Sequence, residues 1–386
     1  MKVKQSPSDF CVEELTDRTP EPVGRFAFYR LEKTGWTTPD AVGWVCRCWQ
    51  LDRGRVSFGG LKDRHAVTSQ FLTIEGGPSQ NLEGDRIVLV YLGRSAEPYS
   101  SSHIRANRFT ITIRDVSHED AARGGAAAAD VSSTGLPNYF DDQRFGSLGG
   151  SGEFVGRLLV RGEFETAMKL ALTTSYEYDR ADAKRAKATL RKRWGNWSAC
   201  RAALPRALAE YLTRHPTDFR GAIVRLHPEL QGMHLATYQS DLWNRTLARW
   251  LKSHFSPADL GGIETKRGPL PAPLRADKAW RNLTIPLPSA RMQPVPGAAW
   301  WPALTAILDE EALSLNRLRV PGVRKPFFSK GERAACVIPA GLSVETADDD
   351  MHSGRKKLVL QFDLPRGSYA TMVVRRLSVT SWPPVS

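Results

Sequence analysis

Hydrophobic and polar positions follow two periods in the first part of the chain. Phe10, Val12 and Glu14 take alternate places, the period of a strand with one face turned inward, and the run FAFYRL at 26–31 supplies a second strand expected to pair with it. Val42, Val45, Cys46 and Trp49 then fall at helical spacing. Thr38 ahead of them is a good N-cap, and Pro39 suits the first helical position, where its missing N–H costs nothing. Strands are predicted again around Val56 and Phe58, from Val67 to Ile74, and from Asn107 to Arg114. In the last of these Phe109, Ile111 and Ile113 share one face and Thr110 and Thr112 the other. A polar loop, Leu61-Lys62-Asp63-Arg64-His65, follows the pair Gly59-Gly60 at a strand end.

An alanine-rich helix is predicted over 118–132, ending near Gly135 and Pro137. From about residue 156 helical segments dominate, including a basic one through Asp182, Lys184, Arg185, Lys187, Arg191, Lys192 and Arg193, which suits either a solvated face or an RNA-facing one. Residues 266–301, rich in Pro and Trp, read as irregular connections packed by aromatics. Strand-like alternation returns from Lys357 through Phe362 and again from Tyr369 to Leu377. That return suggests one domain, built from both ends of the chain and interrupted by an insertion.

With 386 residues, 41% hydrophobic and 25% charged, the chain has material for two domains. The net charge of +13 and pI near 9.7 make nucleic acid the leading partner class, against a solvated basic surface with no specific ligand. Cys11, Cys46, Cys48, Cys200 and Cys336 form no C-x-x-C pair and no regular framework, which argues against structural zinc and a disulfide scaffold and fits a reducing cytoplasm. The N-terminus MKVKQSPSDF lacks the apolar core of a signal peptide, and no stretch approaches the roughly 18 apolar residues of a membrane span.

Two clusters carry candidate chemistry. Asp63 sits between Lys62 and Arg64 and before His65, neighbours that favour its ionised form and attract phosphate; a surface turn of mixed charge would look the same in isolation. Asp141 and Asp142, within PNYFDDQRFG at 137–146, are adjacent and have no nearby His. They therefore suit a turn anchored by aromatics better than a metal, with Gln143 and Arg144 free for hydrogen bonds.

GLKDRHAVTSQ at 60–70, NRFTITIR at 107–114 and GLPNYFDDQRFG at 135–146 resemble, in order, the three signature segments of the TruD family of tRNA pseudouridine synthases. Weaker matches are VKQSPSDFCVEE at 3–14, EKTGWTT at 32–38, ATYQSDLWNR at 236–245 and LPRGSYATMVVRRL at 364–377. The resemblance implies an α+β catalytic domain, an antiparallel sheet in two ferredoxin-like halves, formed by residues 1–155 and 335–386 and interrupted by a TRUD-type insertion at 156–334. It implies isomerisation of uridine to pseudouridine in tRNA, by analogy at uridine 13, with no metal and no cofactor. Asp63 takes the place of the family's catalytic aspartate and Lys4 that of the lysine paired with it. Phe109 corresponds to the aromatic that stacks on the target base, and Asn107 to its hydrogen-bonding asparagine.

Physical reasons support these roles. The reaction breaks C1′–N1 and joins C1′ to C5 with no net redox change, so a carboxylate suffices, and a lysine keeps it ionised. The base must leave its stack and then needs a π-face, although Phe109 shares its strand face with Ile111 and Ile113 and equally suits the core. Lys62, Arg64, His65, Arg105 and Arg144 are candidate RNA contacts, and His103 another phosphate contact. Compared with the family, the segment before Asn107 is short, His103-Ile104-Arg105-Ala106, with Arg105 standing in for a lysine, and Asp141 replaces a common glycine. A non-catalytic tRNA-binding or RNA-folding protein on the same scaffold is the competing reading. Nothing in the sequence calls for a membrane or an obligate protein partner.

Overall fold

The structure, a computed structural model, describes residues 2–176, 179–325 and 327–377, the side chains of 149 and 150 excepted. The chain divides into two compact units. The first comprises residues through Leu136, 274–276, and the described residues from Val337 on; the second comprises Pro137–Pro273 and Asp277–Cys336.

The first unit is built on a ten-stranded sheet. Its strands are β1 (Lys2–Val3), β2 (Phe10–Thr16), β3 (Phe26–Thr34), β4 (Val56–Phe58), β5 (Val67–Glu75), β6 (Leu82–Gly84), β7 (Ile87–Ser95), β8 (Ile104–Val116), β9 (Ala340–Asp348) and β10 (Lys356–Pro365); its helices are α1 (Thr38–Cys48), α2 (His118–Thr134) and α3 (Ala370–Leu377). The strand order is β9-β10-β8-β2-β5-β3-β7-β6, with β1 on β8 and β4 on β5. All pairings are antiparallel except β2 with β5, a parallel seam between two five-stranded halves. Strands from the first 116 residues and from 340–365 thus join one sheet.

Three expectations are corrected. The second strand does not pair with the first: β3 lies between β5 and β7, and β2 between β5 and β8. The cap of α1 is Thr37, whose hydroxyl accepts from the Asp40 amide at 3.2 Å; Thr38 turns inward and is wholly buried. Tyr369–Leu377 is not a strand. Pro365 ends β10, Gly367 turns the chain at φ 85, and Ala370, Val373, Val374 and Leu377 are buried at helical spacing on α3. The same apolar set satisfies either period over so short a run, and packing decides.

Residues of even number on β2 and β5 and of odd number on β8 face one side. Val12 is paired with Phe109 and Thr68, and Glu14 with Asn107. Under the β5-β3-β7 half, α1 closes a core of Tyr29, Leu31, Val42, Val45, Leu72, Ile74 and Leu89. Cys46 is in that core, and Cys48 is exposed; every cysteine is free.

The second unit is mainly helical. Its 27-residue helix Pro228–His254 buries Leu235, Tyr238, Leu242, Trp243, Leu247 and Leu251. The segment 266–301 is less irregular than expected, holding a strand Leu270–Pro273, a helix Lys278–Asn282 and a strand Thr284–Pro286, with Trp280 and Trp300 buried in its packing. The basic helix Ala181–Lys192 turns most of its cations outward; Lys187 is half-buried, 2.6 Å from Asp179. Among the described residues no helix is long and apolar enough to cross a membrane.

Candidate active site

Asp63 lies in the loop between β4 and β5, and buried polar groups hold that loop by its backbone. The Gln70 amide donates to Gly60 O at 3.1 Å while its oxygen accepts from the Thr38 hydroxyl at 2.8 Å, and that hydroxyl in turn accepts the Lys62 amide at 3.0 Å. Lys33, 2% exposed, donates to Asp63 O at 3.1 Å and to Trp36 O at 2.8 Å. A Cβ at Gly59 would lie 2.6 Å from Ile104 Cδ1, so the chain enters the loop where β8 leaves little room.

The Asp63 carboxylate accepts from the Lys4 ammonium and, at 2.9 Å, from the His65 amide. Both side chains of the Lys4–Asp63 pair keep about a quarter of their surface exposed, 28% and 24%. Burial pushes the Asp63 carboxyl up, yet the hydrogen bonds from Lys4 and His65, with their charges, outweigh it and hold the pKa below its ordinary 3.8. Lys4 is tied down on both sides. Lys2 and Val3 pair with Arg114 and Ile113 on β8, and the buried Asp9 accepts from Arg114 at 2.9 Å and from the Ser6 amide at 2.8 Å. Lys4 itself has φ 60, left-handed for a side-chain-bearing residue, a strain of about 1–3 kcal/mol of the kind that collects at functional sites. Its ammonium also lies 4.0 Å from the centre of the Phe10 ring.

A second lysine–carboxylate pair lies beside the first. Lys62 Nζ stands 2.6 Å from Glu14 Oε2 and donates to Asn107 Oδ1 at 2.6 Å. The Glu14 side chain is 0% and that of Lys62 8% exposed, and Glu14 Oε1 accepts the Phe71 amide at 3.2 Å. The Lys62–Glu14 contact is an ion pair without hydrogen-bond alignment. Burial pushes Lys33 down to about 8, against the pull of Asp63 and with the repulsion of Lys62. Three lysines therefore surround the two carboxylates, leaving the pocket net positive while Lys33 is protonated.

The structure thus brings Lys4, Lys62, Asp63, Asn107 and Phe109 to one face of the sheet. Phe109 is 9% exposed and packs edge-on to Phe10 (6.2 Å) and stacked with Phe362 (5.6 Å), so most of its ring serves the core. Arg64 is exposed, donating to Gly35 O at 3.1 Å, and His65 is exposed beside it. Arg105 points outward, 3.7 Å from Asp17. His103 is a cap, its Nδ1 accepting the Ser100 amide at 2.9 Å and its Nε2 3.1 Å from Arg18. Arg144 belongs to the second unit, where it donates to Ser240 at 3.1 Å.

The PNYF segment is an anchor within that second unit. Tyr139, wholly buried, donates to Pro271 O at 3.0 Å, and Asn244 clamps the Phe140 amide and carbonyl at 2.9 and 2.8 Å. Asp141 has φ −82, a backbone that asks for no glycine. Among the described residues no group of three or more His, Cys, Asp or Glu could hold a metal ion. Glu14, Lys33, Thr38 and Gln70 were not singled out as site residues from the sequence. The one legible signal was Glu14, an acid at an inward position of an alternating strand.

A family model described as tRNA pseudouridine synthase D (TruD) matches residues 1–261 and 274–377. The chain is 28% identical to a tRNA pseudouridine synthase D of Aquifex aeolicus, covering 98% of each, and 27% identical to that of Leptospira interrogans, covering 98% of this chain and 96% of the relative. A solved TruD structure from Methanosarcina mazei superposes with TM-score 0.71 at 25% identity, covering 98% of this chain and 93% of that one. Sheet, helices and likeness define an α+β pseudouridine synthase fold. The chain belongs to the tRNA pseudouridine synthase D (TruD) family and is an isomerase.

Proposed function

We propose that this protein isomerises uridine to pseudouridine in tRNA, at uridine 13, with Asp63 as the catalytic carboxylate. The observation that carries the reading is the Lys4–Asp63 pair: a carboxylate held ionised, kept partly exposed, and collared by cations. An ionised carboxylate can attack C1′ or take the C2′ proton, and either route begins from the same charge state. Lys4 keeps it charged and aimed. A flipped uracil would rest against the exposed remainder of the Phe109 cluster, with Asn107 at its edge.

We assign the catalytic domain to residues 1–155 and 335–386 and the inserted domain to residues 156–334; the second unit holds all of the latter's described residues except 274–276. Phosphates of the tRNA would meet Arg64, His65 and Arg105 on the first unit and Arg144 on the second. A cavity of about 820 Å³ in the second unit, lined by Arg161, Arg317, Arg319 and Arg324, offers a further cationic surface for the backbone. The free cysteines suit a cytoplasmic site of action.

The test is release of tritium from tRNA carrying it at uracil C5, since joining C1′ to C5 expels that hydrogen. Wild-type protein should release it. Asp63→Asn should abolish release while tRNA affinity stays within a few fold; tRNA binding without any release by the wild type would instead identify a non-catalytic RNA-binding protein.

A further inference from the structure

We infer that Glu14 and Lys62 fix the orientation of the Asn107 side-chain amide, and that this orientation makes the site select uracil over cytosine. The inference deepens the reading above and rests on Asn107 facing the target base. An ammonium has hydrogens to donate and no lone pair to offer, so the Asn107 atom 2.6 Å from Lys62 Nζ must be the amide oxygen. The amide nitrogen then faces away from Lys62, and it donates to no other described residue.

Turning the amide over would set N–H against N–H beside a buried charge. Lys62 cannot easily move aside to allow it. Its ammonium is held by Glu14, whose side chain is 0% exposed, and its backbone amide by Thr38, itself wholly buried. Glu14 and Asn107 are also direct partners in the β2–β8 ladder, so the ion pair and the amide share one cross-strand position, and Phe109 follows two residues along on the same face. The rigid order runs from Glu14 to Lys62 to the Asn107 oxygen, and its free end is a pair of N–H donors.

A donor-only group set against the C4 position discriminates between pyrimidines. Uracil offers a carbonyl oxygen at C4, which accepts; cytosine carries an amine there, and two donors facing one another leave both unpaired. Lys62 and Glu14 act here as positioning residues, reaching the base only through Asn107.

Binding of tRNA bearing uridine or cytidine at the modified position, measured in an Asp63→Asn background to prevent turnover, tests this. The expected preference for uridine is about tenfold or more, the worth of one mismatched hydrogen bond. Asn107→Asp keeps an oxygen toward Lys62 but turns an acceptor to the base, and should erase or reverse the preference. The double variant Glu14→Gln/Lys62→Met, which removes both charges together, should reduce it toward unity by freeing the amide to turn. Equal binding of the two tRNAs, or a preference unchanged by Asn107→Asp, overturns the inference. The parent reading is judged separately, because it fails if Asp63→Asn still releases tritium, whatever the pyrimidine preference.

Discussion

Two lysine–carboxylate pairs stand side by side at the mouth of the β4–β5 loop, and they are built to opposite ends. Glu14–Lys62 is closed off, with side chains 0% and 8% exposed, whereas Lys4–Asp63 keeps about a quarter of each side chain in solvent. The closed pair has no room for a substrate atom, so its charges can only hold structure. The open pair is reachable, and its carboxylate is kept ionised by the lysine and the His65 amide instead of by exposure. Placing a rigid pair beside a reachable one lets the fold aim a group that must also touch a ligand.

The comparison breaks most visibly at Lys62. Lys62→Met leaves the Glu14 carboxylate buried without its counter-charge and should cost about 3–5 kcal/mol, read from the urea midpoint at unchanged slope. Adding Glu14→Gln removes the stranded charge and should restore most of that loss. A loss under about 1 kcal/mol for Lys62→Met would show that water reaches the pair.

Lys4→Met should change stability far less, by about 0–1 kcal/mol, because the pair is partly solvated. Its effect falls on function. The Asp63 pKa is depressed in the folded state, so the pair's contribution is full above the ordinary value of 3.8 and is lost as pH falls through the lower folded value. Without Lys4 the carboxyl protonates at higher pH. The acid limb of the pH–rate profile should therefore move upward and the turnover number fall. An unmoved acid limb would dissociate Lys4 from the ionisation of Asp63.

The smallest effect sharpens the contrast by taking a third kind of charge, exposed and with no partner among the described residues. Arg319→Gln, at the cavity of the second unit, should leave stability unchanged, weaken tRNA binding a few fold, and lower the salt slope of binding by about 1. An unaltered slope would remove this cavity from the RNA surface.

Sequence alone determined a good deal. The alternation of Phe10, Val12 and Glu14, the strand through Phe109, Ile111 and Ile113, the helix behind Thr37-Thr38-Pro39 and the loop carrying Asp63 were legible because period, caps and glycines are local properties. So was the likeness that led to Asp63, Lys4, Asn107 and Phe109, since motif spelling travels with the chain. Local pattern could not say that β2 runs parallel to β5, or that Tyr369–Leu377 winds into a helix, because nine residues satisfy either period until something packs on them. Nor could it pair Glu14 with Lys62 across 48 positions, or set Lys33 and Gln70 behind the loop. Those choices follow from which strands become neighbours, and burial then decides which of the many charges must find a partner and which remain free to meet a substrate.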